Sequence, residues 1–352
     1  MSRPAMFEFD NTRRDDFVTL MRNVFCAESA ARKAVAWDWL FKKPDPTGAR
    51  TFGRGTQKDG SMVGACLILP HTLWIEGKES QSWWPVAVGV DPRHRGAGLP
   101  IVRSFFNQGP YYGGMPANDE IANLYRKLGM TGEVMLRNYF APLRPGKMLS
   151  RRKGLPSPVA GAVDAGYRMA SAMAFRNTPS LREDERITNV LHFGTAFNDL
   201  WNRARYGYRM TLARDSDYLN WRFHEFPLHS YDTLALWQGE TLRGYVVTRL
   251  EEKDDRTNGL IVDIFTESGD ERSFALLVRA AKGMLERQGA EQAILQLPEC
   301  AWPVQGLKSL GFVHNKPMTL LQLHAADNQM NAKMPCLHKH WYFTRADSDQ
   351  DY

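Results

Sequence analysis

The chain has 352 residues, of which 43% are hydrophobic and 24% charged, with a formal net charge of +6. This composition excludes a disordered or fibrous chain and suits a soluble globular protein of about two domains. No apolar run nears the ~20 residues that span a bilayer, and the polar stretch Met1 to Asp15 lacks a signal-peptide core. Four scattered cysteines without a CxxC pair exclude a disulfide scaffold and a zinc ribbon. A cytoplasmic location is expected.

Along the chain, Arg13 to Cys26 and Ala30 to Lys43 have helical spacing, and Thr51 to Arg54 and Val63 to Ile75 read as strands around a Lys58-Asp59-Gly60 turn. Ser82 to Val90 is a strand that feeds the turn Asp91-Pro92-Arg93-His94-Arg95-Gly96-Ala97-Gly98. A helix follows from Pro100 to Gln108. Glycines let backbone approach a bound group, and the first N–H groups of a helix lack internal partners at the positive end of its dipole. Arg93-x-x-Gly96-x-Gly98 therefore reads as a cradle for a diphosphate. Then come a strand Gly109 to Met115, a helix Asp119 to Leu128 and a strand Glu133 to Pro142.

A proline-marked connector carries the charge excess: from Arg137 to Asp184 there are nine basic and three acidic residues. It reads as a solvated linker, or as a surface for an anionic partner such as a membrane. No RNA-reading motif accompanies it. Val159 to Arg176 has the small residues of a closely packed helix. The second half repeats the order of the first. Its strands are expected at Arg186 to His192, Asp232 to Trp237, Leu242 to Leu250, Gly259 to Thr266, Ala293 to Leu297 and Met318 to Leu323. Its helices are expected at Ala196 to Arg205, Ser273 to Gln288 and Val304 to Leu310. Three residue patterns recur in order: Trp39-Leu40-Phe41 with Trp221-Arg222-Phe223, Val63-Gly64-Ala65 with Arg243-Gly244-Tyr245, and Tyr125 to Met130 with Leu307 to Phe312. They point to a duplicated α/β unit, with segments 1–143, a basic linker 144–185, 186–345 and an acidic tail 346–352 that reads as a solvated end.

The turn at Arg93 to Gly98, followed by Asn118 and then Leu124-Tyr125-Arg126-Lys127-Leu128-Gly129, resembles the GNAT superfamily of N-acyltransferases in both halves. The resemblance implies two tandem α/β (α+β) folds, each a mixed, mostly antiparallel sheet flanked by helices. It implies that the backbone of Arg93, His94, Arg95, Gly96, Ala97 and Gly98 binds the diphosphate of acetyl-CoA or another acyl-CoA. It also implies that Val88, Gly89 and Val90 pair with the pantetheine arm, that Asn118 touches the cofactor, and that Tyr125 protonates the leaving thiolate. No metal is implied; Cys336-x-His338-x-His340 lacks a second cluster. The general base is open among His71, Asp119 and Glu120. Trp83, Trp84, Trp37 and Trp39 are candidates for the acceptor cleft.

The second half departs from the pattern. Thr266-Glu267-Ser268-Gly269-Asp270 stands where the phosphate turn would be, Leu307 replaces Tyr125 and Cys300 replaces Asn118. Acids there repel a diphosphate, so this half is expected to be degenerate. The implied activity is acyl transfer to the amine of a small molecule, amino sugar or amino-acid derivative. Two other readings stand beside it: an aminoacyl transferase that draws on charged tRNA, and a non-catalytic acyl-CoA sensor. Monomer and dimer remain open.

Overall fold

The computed structural model describes residues 4–106, 108–174, 179–314, 319–337 and 340–351. A strand β1 (Ala5–Phe9) leads through one 3₁₀ turn into α1 (Arg14–Val24) and α2 (Ala27–Phe41). Phe17, Leu20 and Met21 of α1, and Ala36, Trp39 and Leu40 of α2, are buried at i, i+3, i+4, the stripe of an amphipathic helix. Next come β2 (Phe52–Lys58), β3 (Ser61–Ile75), β4 (Lys78–Val90), α3 (Gly98–Phe105), β5 (Tyr111–Gly114), α4 (Asp119–Lys127) and β6 (Gly132–Pro142). The connector forms α5 (Pro145–Lys153) and α6 (Ser157–Ala174). The first of these was not expected. Pro145 sits at the helix start, where its missing N–H would have no partner anyway, and Gly154 closes the helix in the left-handed region.

The second half contains β7 (Glu185–Asn189), α7 (Thr195–Ala204), β8 (Met210–Leu212) and α8 (Ser216–Leu219), which runs on as a π-helical turn, Asn220–His224. Then follow β9 (Asp232–Gln238), β10 (Thr241–Lys253), β11 (Arg256–Thr266), α9 (Glu271–Arg287) and β12 (Gln292–Pro298). The helix expected at Val304 to Leu310 is a 3₁₀ helix, Trp302–Leu310; Pro303 and Gly306 weaken the α form. The chain ends with β13 (Val313–His314), β14 (Thr319–Ala325), α10 (Asn328–Leu337) and β15 (Trp341–Tyr342).

The strands join one sheet in the order β1-β2-β3-β4-β5-β14-β6-β12-β11-β10-β9-β7. β6 comes from the first half, yet it lies between β14 and β12 of the second. β14 in turn separates β5 from β6. Each half thus donates a strand to the interior of the other's sheet, and the boundary expected near residue 143 divides sequence segments that share one backbone ladder.

The recurring residues occupy equivalent places. Trp39 and Trp221 stack with centroids 4.2 Å apart and planes 1° from parallel. Each indole N–H donates to the other's backbone carbonyl, at 2.7 and 2.9 Å. Gly64 pairs with Val90 at the end of β4, as Gly244 pairs with Thr266 at the end of β11. The helical segments before Gly129 and Gly311 both end in a left-handed residue, and the amides of Met130 and Phe312 reach back to the carbonyls of Tyr125 and Leu307.

Two expectations fail here. The acidic C-terminal segment is not a solvated end: Asp347 is 7% exposed and Asp351 0%. Asp347 takes Arg214 at 2.7 Å, while Asp351 takes Arg222, Arg249 and Arg345 at 2.9, 2.8 and 3.0 Å. Arg214, Arg222 and Arg249 are buried, and a guanidinium stays buried only against a carboxylate. The connector is not wholly solvated either. Lys147 and Arg151 pair with the buried Glu291, and Arg144 donates to the Glu286 carbonyl at 2.7 Å.

Candidate functional site

β4 and β5 run parallel and pair only at Ser82–Tyr111 and Trp83–Tyr112. β4 then continues to Val90 along β3 alone, so its other edge is open beyond Trp83. On this free stretch Ala87 and Val88 together oppose the single residue Cys66 of β3. That is a β-bulge, and Ala87 adopts φ +51, a left-handed conformation uncommon for a residue with a Cβ. Val88 is 39% exposed on this edge, Gly89 is buried and Val90 lies between the two.

Past Val90 the chain forms a tight turn. The Asp91 carboxylate accepts the Arg93 N–H at 2.9 Å, and the His94, Ala97 and Leu99 amides bond within the turn. Among the described residues the amides of Arg95, Gly96 and Gly98 have no partner. Gly96 has φ +90, and a Cβ there would project into open space. A Cβ on Gly98 would come within 2.8 Å of Val90 Cγ2, so glycine lets α3 begin directly against β4. Ala97 is buried at the helix start, whereas Arg95 faces solvent. The Arg93 guanidinium folds back onto Asp91, Nη2 to Oδ2 2.6 Å, and these hydrogen bonds hold the Asp91 carboxyl down to about 2. Arg93 thus shapes the turn through its side chain.

Tyr125, on α4, lies across the divergence from β4. A Cβ on Gly114 would meet Tyr125 Cε2 at 3.4 Å and Pro85 Cγ at 3.8 Å, which puts the tyrosine ring beside the open part of β4. Burial pushes the Tyr125 hydroxyl up to about 12, so it stays protonated at neutral pH. The neighbouring Tyr112 hydroxyl is buried, close to Tyr125, and makes no hydrogen bond of normal geometry. Asn118 caps α4, its Oδ1 accepting the Ile121 N–H at 3.0 Å. Asp119 and Glu120 are exposed in the first turn of α4, where they complement the helix dipole, and neither lines a cavity described below.

A cavity of about 30 Å³ opens against the bulge, lined by Trp84, Pro85 and Val86 of β4, Met115 just beyond β5, and Asp347 to Asp349 of the C-terminal segment. A larger cavity of about 410 Å³ shares His71 and Tyr218 with it and is rimmed by Asp45, Glu79, Asp215 and Asp217. His71 is 8% exposed; burial, then the charges of Lys43 and Arg222, hold its pKa well below the usual imidazole value, so it is neutral. Lys43, over the rings of Tyr218 and Trp221, is brought down to about 8 by burial.

Trp84 lines the smaller cavity, while Trp83 packs edge-on against Phe52. Trp37 and Trp39 do not line a cleft. Trp37 is fully buried among Phe9, Phe17 and Phe41, and Trp39 is committed to its stack with Trp221. Cys336 lies on α10 and His338 outside the described residues; among the described residues no cluster of His, Cys, Asp or Glu could hold a metal. The residue that sequence reading passed over is Asp349. The arginines at 214, 222 and 249 call for the carboxylates of Asp347 and Asp351, and no local signal marks Asp349, which lies between them and pairs with none of these arginines.

No family model matches the sequence, and no curated protein matches it. Solved structures do. A probable N-acyltransferase of unknown function from Enterococcus faecalis matches with TM-score 0.64 at 12% identity, over 95% of this chain and 75% of that one. A GCN5-related N-acetyltransferase from Anabaena variabilis gives TM-score 0.58 at 14% identity, over 92% and 73%. The N-myristoyltransferase of Saccharomyces cerevisiae, solved with bound myristoyl-CoA, gives 0.55 at 13% identity, over 92% and 82%. The chain has the GNAT fold.

Proposed function

We propose that this protein transfers an acyl group from acyl-CoA, in the first instance acetyl-CoA, to a primary amine. The observation that carries the reading is the divergence of β4 from β5. It leaves an open, bulged strand edge that runs from the Tyr125 ring to the Arg93–Gly98 turn. The fit to acyl-CoA rests on three local features: unpartnered turn amides at the start of α3, an open space where a Gly96 side chain would project, and a buried Tyr112 hydroxyl that reaches toward Tyr125.

Bound acyl-CoA supplies an activated thioester. The amides of Arg95, Gly96 and Gly98 hold its diphosphate, and the free edge of Val88 to Val90 aligns the pantetheine arm. Asn118, whose Oδ1 is engaged in the cap, offers its Nδ2 to the cofactor. At the bulge the Ala87 N–H is turned to the Asp349 carboxylate, and the Val88 N–H stabilises charge developing on the carbonyl oxygen. Tyr125, kept protonated by burial, gives its proton to the departing sulfur.

We place one such site in the chain. At the matching position of the second half, Asp270 caps α9 by accepting the Ser273 N–H at 3.0 Å and pairs with Arg243 at 3.1 Å. That helix start already carries its own anion. The test is calorimetric titration with acetyl-CoA, followed by thiol release over a panel of primary amines. Tyr125→Phe is expected to lower kcat by about 10²-fold, the lower end for a lost general acid, while keeping acetyl-CoA affinity. A wild-type chain that neither binds acetyl-CoA nor releases thiol would defeat the reading.

A further inference from the structure

The C-terminal segment is pinned on both sides of one carboxylate. Asp347 is locked by Arg214 and by the Thr344 N–H at 2.8 Å, and Asp351 by three arginines. Between them Asp349 is only partly covered and lines the 30 Å³ cavity at the β4 bulge. That space exceeds the ~10–15 Å³ that one water requires, so a reacting nitrogen fits in it. Among the described residues no lysine or arginine lies within ion-pair distance of Asp349. Its surroundings are the Ala87 backbone N–H, Lys33 from α2, Tyr125 from α4, His71 from β3, and Arg222 and Asp347, which share the cavity. Burial raises its pKa above the ordinary aspartate value, against the opposing pull of Lys33. Of the other acidic groups near the bulge, Asp351 is ion-paired and Asp119 and Glu120 are turned to solvent; Asp347 is held through Oδ2 by Arg214 and the Thr344 N–H, which fixes its carboxylate although its buried Oδ1 has no partner.

We propose that Asp349, carried in from the far end of the chain, is the general base that deprotonates the acceptor amine. This rests on the acyl-transfer reading above. The acceptor enters as an ammonium through the 410 Å³ cavity, whose rim sets Asp45, Glu79, Asp215 and Asp217 against the single cation Lys43, and passes the neutral His71 to reach the bulge. One ammonium proton goes to the Asp349 carboxylate. The nitrogen lone pair forms the N–C bond as the C–S bond breaks, and Tyr125 protonates the sulfur. The second nitrogen proton restores Tyr125, and the proton held by Asp349 passes to solvent, so each turnover releases one proton. Asp349 and Tyr125 thus serve as base and acid on one cleft, one from each half of the sequence.

The test compares wild type, Asp349→Asn and Asp349→Glu in the full chain, with acetyl-CoA and two kinds of acceptor. One is an alkylamine that is protonated at pH 7; the other is hydroxylamine, which is largely neutral there. Asp349→Asn is expected to lower kcat/KM for the alkylamine by about 10²-fold or more. It should abolish the acidic limb of the pH profile and reduce hydroxylamine turnover far less. The calorimetric Kd for acetyl-CoA should stay within about twofold, and Asp349→Glu should restore part of the alkylamine rate together with an acidic limb. Equal losses on both amines, a weakened acetyl-CoA Kd, or a glutamate variant as inactive as the asparagine one would make Asp349 structural and overturn the proposal. Full alkylamine turnover by Asp349→Asn would overturn it while leaving the acyl-transfer reading intact. A wild type inert toward acetyl-CoA would remove both.

Discussion

Single residues in this protein matter mainly through what burial does to their protons. Tyr125 is held protonated and His71 neutral, each by desolvation before anything else. Asp351 goes the other way. Burial opposes its ionisation, but Arg222, Arg249 and Arg345 dominate and its pKa falls far below the ordinary value. A carboxyl depressed in the folded state stabilises the fold fully above its unfolded pKa of ~3.9, and that stabilisation is lost as pH falls through the folded value. Asp351→Ala leaves three buried or half-buried arginines without their shared partner. It is expected to cost about 3–5 kcal/mol in urea unfolding at pH 7. The difference from wild type should shrink as the pH is taken below ~4. A loss under 1 kcal/mol at pH 7 would mean that solvent reaches those arginines.

The critical contact between elements is the start of α3 against the end of β4. Gly98 permits it, because any Cβ would press on the β-branched, rotamer-restricted Val90. Gly98→Ala is expected to push the helix start away from the strand, at about 1–3 kcal/mol of stability. The same shift moves the free amides of the turn, so acetyl-CoA affinity should fall by at least tenfold in calorimetry. An alanine variant with unchanged affinity would place the diphosphate elsewhere. This element was legible in the sequence because its chemistry is local: a strand, a turn whose glycines answer a positive φ and a close approach, and a helix. The bulge at Ala87 was not legible, since alanine gives no sign of a left-handed conformation and the register of β3 against β4 sets it.

At the scale of the whole molecule, the two halves are bound by exchanged strands and by the reciprocal Trp39–Trp221 stack. Such an aromatic pair contributes about 0.5–1.5 kcal/mol beyond its buried area. Without β14, a fragment of residues 1–143 has a gap between β5 and β6 and bare edges on both. Expressed alone it is expected to aggregate or stay unfolded by circular dichroism, and to be rescued by co-expression with residues 144–352. A monomeric fragment with its own cooperative melt would contradict this account. The base proposed at Asp349 belongs to the same architecture, because the segment that carries it is anchored by arginines of the second half and completes a cleft of the first.

What the sequence determined by itself was what near neighbours decide: the amphipathic helices, the glycine turn, the helix that carries Tyr125, and the recurrence of Trp39 as Trp221. Hydrophobic period, capping chemistry and positive φ act over a few residues and are written where they act. Only the tertiary structure decided that β6 and β14 change sides, that the terminal acids are buried, and that Asp349 faces the bulge from more than two hundred residues away. Strand pairing and the compensation of a buried charge are settled between distant segments. A carboxylate at a polar chain end reads as solvated until the arginines that require it are seen around it.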